Sequence, residues 1–479
     1  MEQNTSHKTA IIVGILIFLA IGAGAWYWFS FMRSMPADVN VKPGNNNTTN
    51  GGATPFKPLS TNNVPKTPTD KTKTLVGQTG STTGSSTTAT INKIRKLSEN
   101  PVAGAVATTT PKGVSIRYVD KTSGHIYEIG AKDVETKRIT NLTIPKVLQA
   151  IWHNNASNVV YRYEREAGAP ITDLSLEIQE PVNKVVQTGK AIASKTITEK
   201  TPTKVGTSTA NSNNANAASE TSTNDNSSNS LLTNYLLNTK TTILGTNSYT
   251  LALAPKSKRV FILENNGNGK PVGIISNLNG TQPVTVFENG SSAWNAQWPE
   301  ESTIILNTKP ISIGVGFTYK LNIADKSLSK IGEGGGGLTT LVNSTLSTAL
   351  ATYSDAQKIL TMYFNLKSTD QNTSIREATF NTMPEKCVWS KNETSTIYCA
   401  VPERIIPGNY PEAWYQGDVS FTDNIWKIDT VKNSAVKIAD MYIETDELID
   451  GTQLSIDSND SVLVLINKRD QSLWQINLK

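Results

Sequence analysis

Cys387 and Cys399 are the only cysteines of the 479-residue chain, and they lie twelve positions apart. Two thiols can form a disulfide, stay as small buried side chains, or bind a metal ion. The metal alternative needs further ligands, and the three histidines, His7, His125 and His153, lie far from the cysteines in the sequence. The choice between disulfide and buried thiols depends on the compartment of the protein and on the elements that carry the cysteines.

Other motifs with a chemical role are weak in this sequence. The glycine-rich stretch 332–337 is followed by Leu-Thr-Thr, whereas a phosphate-binding loop needs Gly-Lys-Ser/Thr at that point, so the stretch indicates a flexible loop. The segments ENNGNGK from Glu264 and DSNDS from Asp457 are typical of hairpin turns. We therefore name no catalytic residue and expect no cofactor and no metal site.

The composition and charge of the chain limit its function classes. Hydrophobic residues make up 37% and charged residues 18%, both low for a fully globular protein. The net charge of the chain is +5. Residues 1–110 carry +6, so the remainder carries about −1. A folded domain that binds nucleic acid is expected to present a basic surface, so we expect no nucleic-acid partner.

The segment 9–31 contains 23 residues without a charge. At about 1.5 Å per residue, a helix of this length crosses a hydrocarbon core of roughly 30 Å. The aromatic residues 26–28 lie at one end, as interfacial aromatics do. We predict a single-pass transmembrane helix at 9–31, a cytoplasmic tail at 1–8 and the rest of the chain outside the cell membrane. A cleaved signal peptide, with Ala-Gly-Ala at 23–25 as its cleavage site, is the alternative, and it also exports the remainder.

Two tracts rich in small polar residues divide the rest of the chain. Residues 32–90 are rich in Thr, Asn, Ser, Gly and Pro, and such a composition buries too little apolar surface to order itself. We predict a disordered linker there that holds the following domain away from the membrane. Residues 201–230 have the same character and interrupt a folded region, so we predict a disordered loop insertion.

The remaining residues, 91–479, read as short strands and turns that repeat. Each copy contains a small or apolar residue, a spacer, often an aromatic residue, a polar turn and an apolar run. The aromatic slots of the seven copies are Thr108, Trp152, Ala254, Trp298, Tyr353, Trp389 and Ile456. A four-stranded antiparallel sheet that recurs every 40–50 residues is typical of a propeller blade. We predict an all-β fold, a β-propeller of seven four-stranded blades, with six or eight blades as alternatives.

The first unit of the repeat resembles the A-x-W-S-P-D-G strand and turn of TolB-like and WD40-like propeller repeats. The segment VWSKNE from Val388 matches best, and QWPEES and TYSDAQ follow less closely. The Pro-Asp-Gly turn is incomplete in every copy. The resemblance covers residues 91–479 as architecture, and it implies a six- or seven-bladed fold that contacts other proteins. It implies no catalytic residue.

The two ends of the repeat region predict how the ring closes. The last copy ends at Lys479 after three strands, and the missing strand type occurs at the start as INKIRKL from Ile91. We predict that this N-terminal segment supplies the outer strand of the last blade. Closure in this way removes an exposed sheet edge.

The repeat also places the two cysteines. Cys387 falls on the innermost strand of its blade and Cys399 on the second strand, with the turn midway between them. Residues directly opposed in an antiparallel hairpin have Cα atoms about 4.5–5.5 Å apart, which suits a disulfide. Because export places the domain in an oxidising compartment, we predict a structural disulfide, with two buried thiols as the alternative.

Aromatic residues outside the repeat slots are the candidates for contact with a partner. Tyr410, Trp414 and Tyr415 lie in a segment that we predict to be an extended insertion between blades. Exposed aromatic residues on a loop that a rigid scaffold carries are typical of contact surfaces.

These observations together favour a non-enzymatic binding or protein-interaction scaffold at the cell envelope. We expect its partner to be a protein or an envelope polymer. A glycan-acting propeller enzyme and a structural surface component without a discrete ligand are the alternatives.

Overall fold

The computed structural model describes residues 92–179 and 236–479, apart from 267, 356 and 368–374. The predicted cytoplasmic tail (1–8), transmembrane helix (9–31), linker (32–90) and loop insertion (201–230) lie outside the described residues. Within the described part, no helix is long and apolar enough to cross a membrane.

The described residues form seven four-stranded antiparallel sheets, which are the blades of a propeller. The first strand, β1 (Ile94–Ser98), belongs to the last blade. Blade 1 contains β2–β5, at Val102–Thr110, Gly113–Asp120, Ile126–Gly130 and Lys137–Arg138. Blade 2 contains β6–β9, at Val147–Trp152, Asn158–Tyr163, Thr172–Gln179 and Asn238–Thr246. Blade 3 contains β10–β13, at Thr250–Leu253, Arg259–Asn265, Pro271–Asn277 and Val284–Glu288.

The other four blades follow in chain order. Blade 4 contains β14–β17, at Trp294–Glu300, Thr303–Thr308, Gly316–Asn322 and Leu328–Gly334. Blade 5 contains β18–β21, at Thr339–Val342, Thr348–Asp355, Lys358–Asn365 and Ile375–Glu377. Blade 6 contains β22–β25, at Cys387–Trp389, Thr396–Pro402, Asp423–Asp429 and Ser434–Ala439. Blade 7 contains β26–β28, at Gly451–Ile456, Val462–Asn467 and Leu473–Asn477, together with β1.

The helices of the described residues are short. They are a 3-10 helix at Pro384–Lys386 and two α-helices, α1 at Glu412–Gln416 and α2 at Met441–Thr445. The 3-10 helix leads directly into the first strand of blade 6, and α1 lies in the insertion between β23 and β24. All three helices therefore lie in or beside blade 6.

The ring closes as the sequence predicts. In blade 7 the strand order is β26, β27, β28 and then β1, and β1 pairs antiparallel with β28. Ile94 faces Ile476 in this pairing, and Lys96 faces Trp474. The predicted fold class, seven blades and closing strand are thus confirmed.

One of the seven aromatic slots is assigned to the wrong strand. Tyr353 lies in β19, the second strand of blade 5, and not in the first. The actual first strand, β18, reads Thr-Thr-Leu-Val and has no aromatic residue. The next strand, TALATYSD, carries the small and aromatic residues of the repeat, so it imitates a first strand.

First strands of neighbouring blades contact one another, β2 with β6 and with β26 for example, so they surround the middle of the ring. Two repeat-slot tryptophans join adjacent first strands. Trp152 Nε1 donates to Gly104 O at 3.1 Å, and Trp389 Nε1 donates to Leu341 O at 3.2 Å. A Cβ at Gly104 would lie 1.9 Å from Ala150 O, so glycine allows the backbones of β2 and β6 to approach. These tryptophans pack between blades, as their repeated position predicts.

Each of the seven interfaces between blades has its own cluster of buried apolar side chains. Val160 of blade 2 and Val260 of blade 3 share one such cluster. Ile305 of blade 4 and Ala349 of blade 5 share another. The core is therefore divided among the interfaces, and the loops at the two ends of the strands are available for other roles.

The loops fall on two faces of the ring, because successive strands run in opposite directions. We call one the entry face; it carries the loops between second and third strands, including 309–315 and 403–422, and the chain enters each first strand there. The other, the hairpin face, carries the turns between first and second strands, including 390–395 and 457–461.

Candidate functional site: an apolar loop surface on the entry face

The cysteine pair forms the predicted disulfide. Cys387 in β22 pairs directly with Cys399 in β23, and the disulfide joins them with Cα atoms 4.1 Å apart. Both residues are buried in the cluster between blades 5 and 6. The disulfide therefore fixes the inner hairpin of blade 6, from which the insertion 403–422 departs.

The predicted exposure of the aromatic residues in this insertion is wrong for two of the three. Tyr410 is 2% exposed and Trp414 is 3% exposed, whereas Tyr415 is 42% exposed. Tyr410 stacks on Phe421, with ring centroids 5.9 Å apart, and its hydroxyl donates to Ile406 O. Tyr410 and Trp414 thus form the core of the insertion, and Tyr415 alone of the three can contact a partner.

A buried ionic cluster lies under this core. Lys386 Nζ lies 2.5 Å from Asp450 Oδ1 and 2.7 Å from Asp423 Oδ2, and all three side chains are 0% exposed. The ammonium also lies 5.1 Å from the ring centroid of Trp414 and 5.4 Å from that of Phe421. A charge without exposure needs such partners, since desolvation is otherwise very costly.

The carboxylates of the cluster are held by further donors. Trp414 Nε1 donates to Asp450 Oδ2 at 3.0 Å, and Phe421 N donates to the same oxygen at 3.1 Å. Gly451 N donates to Asp423 Oδ2 at 2.6 Å. Burial raises the pKa of Asp423 to about 6, and the nearby ammonium of Lys386 limits the increase. The cluster links the insertion of blade 6 to the start of blade 7, so it positions the insertion firmly.

Three apolar side chains on a neighbouring loop are exposed near this insertion. Ile311 is 57% exposed, Ile313 is 81% exposed and Val315 is 57% exposed. Together with Tyr415 they form what we call the apolar loop surface. The three aliphatic residues were not predicted from the sequence. The available signal was the alternation in ISIGV from Ile311, which lies in a loop where no sheet neighbour buries such residues.

Hydrogen bonds hold loop 309–315 on both sides. Ser312 N donates to Glu412 Oε1 of the insertion at 2.6 Å, and Gly337 N of the glycine-rich stretch donates to Ile311 O at 2.5 Å. A Cβ at Gly336 would lie 1.9 Å from Ser312 O, so only glycine permits this approach. The glycine-rich stretch 332–337 is thus not the flexible loop that we expected. Its first part belongs to β17, and its end packs against the apolar loop surface.

Tyr415 is fixed by its hydroxyl. That hydroxyl donates to Glu385 Oε1, and burial together with the charge of Glu385 raises the pKa of the phenol well above its usual range. The phenol therefore stays protonated and acts as a hydrogen-bond donor rather than as a nucleophile. A fixed aromatic ring with an exposed part is typical of the anchor residues of protein interfaces.

The described ranges also bear on metal binding. Among residues 92–179 and 236–479, with the gaps stated above, no group of three or more His, Cys, Asp or Glu side chains is placed to hold a metal ion. The expectation of a chain without metal or cofactor stays a prediction.

No protein-family model matches the sequence, and no curated protein matches it either. Among solved structures, the chain is similar to TolB from Acinetobacter baumannii, at 11% identity and a TM-score of 0.36, over 69% of this chain and 62% of that one. It therefore spans about three fifths of the TolB chain.

Two further solved structures are similar to this chain at comparably low identity. Oligogalacturonate lyase in complex with manganese has 6% identity and a TM-score of 0.46, over 81% of this chain and 90% of that one. The β-propeller domain of the Trilobed protease from Pyrococcus furiosus has 9% identity and a TM-score of 0.43, over 79% of this chain and 98% of that one. The structures similar to this chain thus include TolB and other propeller domains, and the seven sheets themselves establish its fold as a seven-bladed β-propeller.

Proposed function

We propose that the chain is a membrane-anchored, extracytoplasmic binding module that contacts a protein partner through the apolar loop surface. The observation that carries this proposal is the exposure of Ile311, Ile313 and Val315. Their loop is held by a hydrogen bond to the insertion of blade 6. Clustered exposed apolar side chains on a firmly held loop favour protein contact.

Two features support the location outside the membrane. The uncharged segment 9–31 has the length of a transmembrane helix, and the polar linker 32–90 separates it from the propeller. The disulfide between Cys387 and Cys399 fits an oxidising compartment, where such bonds persist. The N-terminus is then cytoplasmic and the propeller lies outside.

The test is cross-linking in intact cells of the native host, with the full chain and a cross-linker that cannot cross membranes. We expect the wild-type chain to form a specific product with one protein. We expect Ile313→Asp to lose most of this product, roughly tenfold or more, because a charge in the apolar centre of an interface is strongly unfavourable. Val431→Asp is the matched control, since Val431 is 70% exposed on the opposite face of blade 6.

Each outcome has a defined meaning. Equal products from the wild type and Ile313→Asp contradict the apolar loop surface as the contact. A propeller that reacts only after the cells are broken contradicts the extracytoplasmic location. Recovery of glycan in place of protein favours the glycan-acting alternative, and a product of the chain with itself favours a structural surface component.

A further inference from the structure

A large groove lies on the hairpin face, between blade 7 and blade 1. Its volume is about 1300 Å³, which is larger than the roughly 300–1,000 Å³ of a typical small-molecule pocket. The first hairpin of blade 1, at 109–115, forms one wall. The hairpin turn of blade 7, at 459–462, and the end of β28 with the residues after it, at 477–479, form the other. The volume therefore leaves room for a ligand larger than a typical small molecule.

Positive charge dominates the lining of this groove. Six cationic side chains face two carboxylates, and the cationic residues are Lys93, Lys112, Arg117, Lys132, Lys137 and Lys479. The two acidic residues are Glu128 and Asp133. This excess contrasts with the nearly neutral charge of the propeller as a whole, so the cations are concentrated here.

The two carboxylates already interact with arginines. Glu128 Oε2 accepts from Arg117 Nε at 2.6 Å. Asp133 interacts electrostatically with Arg95. Burial lowers the pKa of Arg95, and the charge of Asp133 offsets part of this decrease. Asp457 lies beside the groove, and its Oδ1 accepts from the backbone N–H groups of Ser461 and Val462, both at 2.7 Å. Among the described residues, none of these acids pairs with Lys112 or Lys132, whereas Lys93 pairs with Glu444 at 3.5 Å.

Lys112 and Lys132 are the cations that a ligand can reach most directly. Both are exposed, and no side-chain hydrogen bond or ion pair joins either ammonium to another residue in the part of the chain that the structure describes. Ser115 lines the groove as well, and its buried Oγ has no hydrogen-bond partner among the described residues.

We propose that this groove binds an extended polyanion, a polymer that carries repeated phosphate or carboxylate groups. Several lysines along an open groove attract a chain of negative charges, and the release of its counterions favours binding. Lysine recognises phosphate and carboxylate as a point charge, so the shared chemistry is the repeated anionic group.

A polyanion in this groove contacts residues on both sides of the junction between blade 7 and blade 1. Lys93 and Lys479 lie next to the closing strands of blade 7, whereas Lys112 and Lys132 belong to blade 1. A polyanion in contact with both sets binds the folded, closed ring and not the unfolded chain. Binding therefore raises the melting temperature of the propeller.

The test is titration of the full-length protein with inorganic polyphosphate, with polygalacturonate and with neutral dextran, at several salt concentrations. We expect at least one polyanion to bind, with an affinity that falls steeply as salt rises, and dextran not to bind. The double variant Lys112→Gln/Lys132→Gln is expected to bind roughly tenfold more weakly and to have a smaller salt dependence. Lys270→Gln/Lys326→Gln, which changes two exposed lysines outside the groove, is the matched control and is expected to bind like the wild type.

Binding of polyphosphate alone identifies phosphate as the anionic group, and binding of polygalacturonate alone identifies carboxylate. The proposal is overturned if neither polymer binds at low salt, or if the control pair weakens binding as much as the groove pair. Ile313 lies on the entry face, so the Ile313→Asp variant is expected to keep polyanion binding. This proposal and the proposed protein contact are therefore tested independently.

Discussion

At the scale of the residue, Lys386 connects three parts of the chain that are far apart in sequence. Its ammonium binds Asp423 at the start of β24 and Asp450 before β26, and it lies against the ring of Trp414 in α1. Because these partners come from blade 6, blade 7 and the insertion, one side chain positions all three. The apolar loop surface depends on this arrangement through Glu412, which lies in the same helix as Trp414.

We expect Lys386→Met to lower the free energy of unfolding by about 3–5 kcal/mol, because the substitution leaves two buried carboxylates without their cation. Denaturant unfolding of the full chain measures this change. Lys427→Met is the control, since Lys427 pairs with Glu393 at the surface and such pairs contribute less than about 1 kcal/mol. Similar unfolding of both variants contradicts a stabilising role for the buried cluster.

At the scale of the element, the features predicted correctly from the sequence are those that local sequence patterns determine. The repeat predicted the blades, and the midpoint of the cysteine hairpin predicted the register of β22 with β23. Burial of Tyr410 and Trp414 depends on distant partners, Ile359 and Met383 among them, so no local pattern indicates it. The exposed loop at Ile311–Val315 was missed for a different reason, because its apolar alternation is also typical of a strand and only the absence of a sheet neighbour distinguishes the two.

Loop contacts between blades make stability depend on pH. Glu301, in the first hairpin of blade 4, accepts from Lys256 N at 2.8 Å, from Ser257 N at 2.9 Å and from Arg259 at 3.1 Å in blade 3. Burial alone would raise its pKa, but these hydrogen bonds and that of the Ser257 hydroxyl outweigh burial and lower the pKa to about 2. Its contribution to stability is therefore complete above the unfolded value of about 4.5 and is lost as the pH falls through about 2.

We expect Glu301→Gln to lower the free energy of unfolding by about 1–2 kcal/mol at pH 7, after allowance for partial exposure. The difference from the wild type shrinks below pH 4.5 and disappears near pH 2. Urea unfolding between pH 2 and pH 7 measures it, with the exposed Glu166→Gln as control. A difference that stays constant over this range contradicts the role of the charge.

At the scale of the whole molecule, the ring is held by strand β1. Its Ile94 is 7% exposed and packs in the cluster between blades 6 and 7, and its backbone pairs with β28. The ends of the propeller therefore lie in one blade, and every blade has four strands. The sequence alone predicted this closure, because the missing strand type of the last copy occurs at the start of the domain.

We expect Ile94→Ala to lower the free energy of unfolding by about 2–4 kcal/mol, since it removes a buried side chain at the closing strand. Ile375→Ala changes an isoleucine that is 47% exposed on the outer strand of blade 5, and we expect less than about 0.5 kcal/mol there. Denaturant unfolding compares the two variants. Equal effects contradict a special contribution of β1 to closure.

If segment 9–31 anchors the chain in a membrane, as we propose, the closing strand has a mechanical consequence. Asn92 continues into the chain that leads to segment 9–31, so tension along that chain acts on β1 before any other strand of the described ring. β1 is the outer strand of blade 7 and pairs only with β28 among the described strands. With the proposed anchor, a pull of sufficient force detaches this strand first, leaves blade 7 with three strands and removes Lys93 from the groove, so that a load on the linker and a ligand bound to Lys93 would oppose each other.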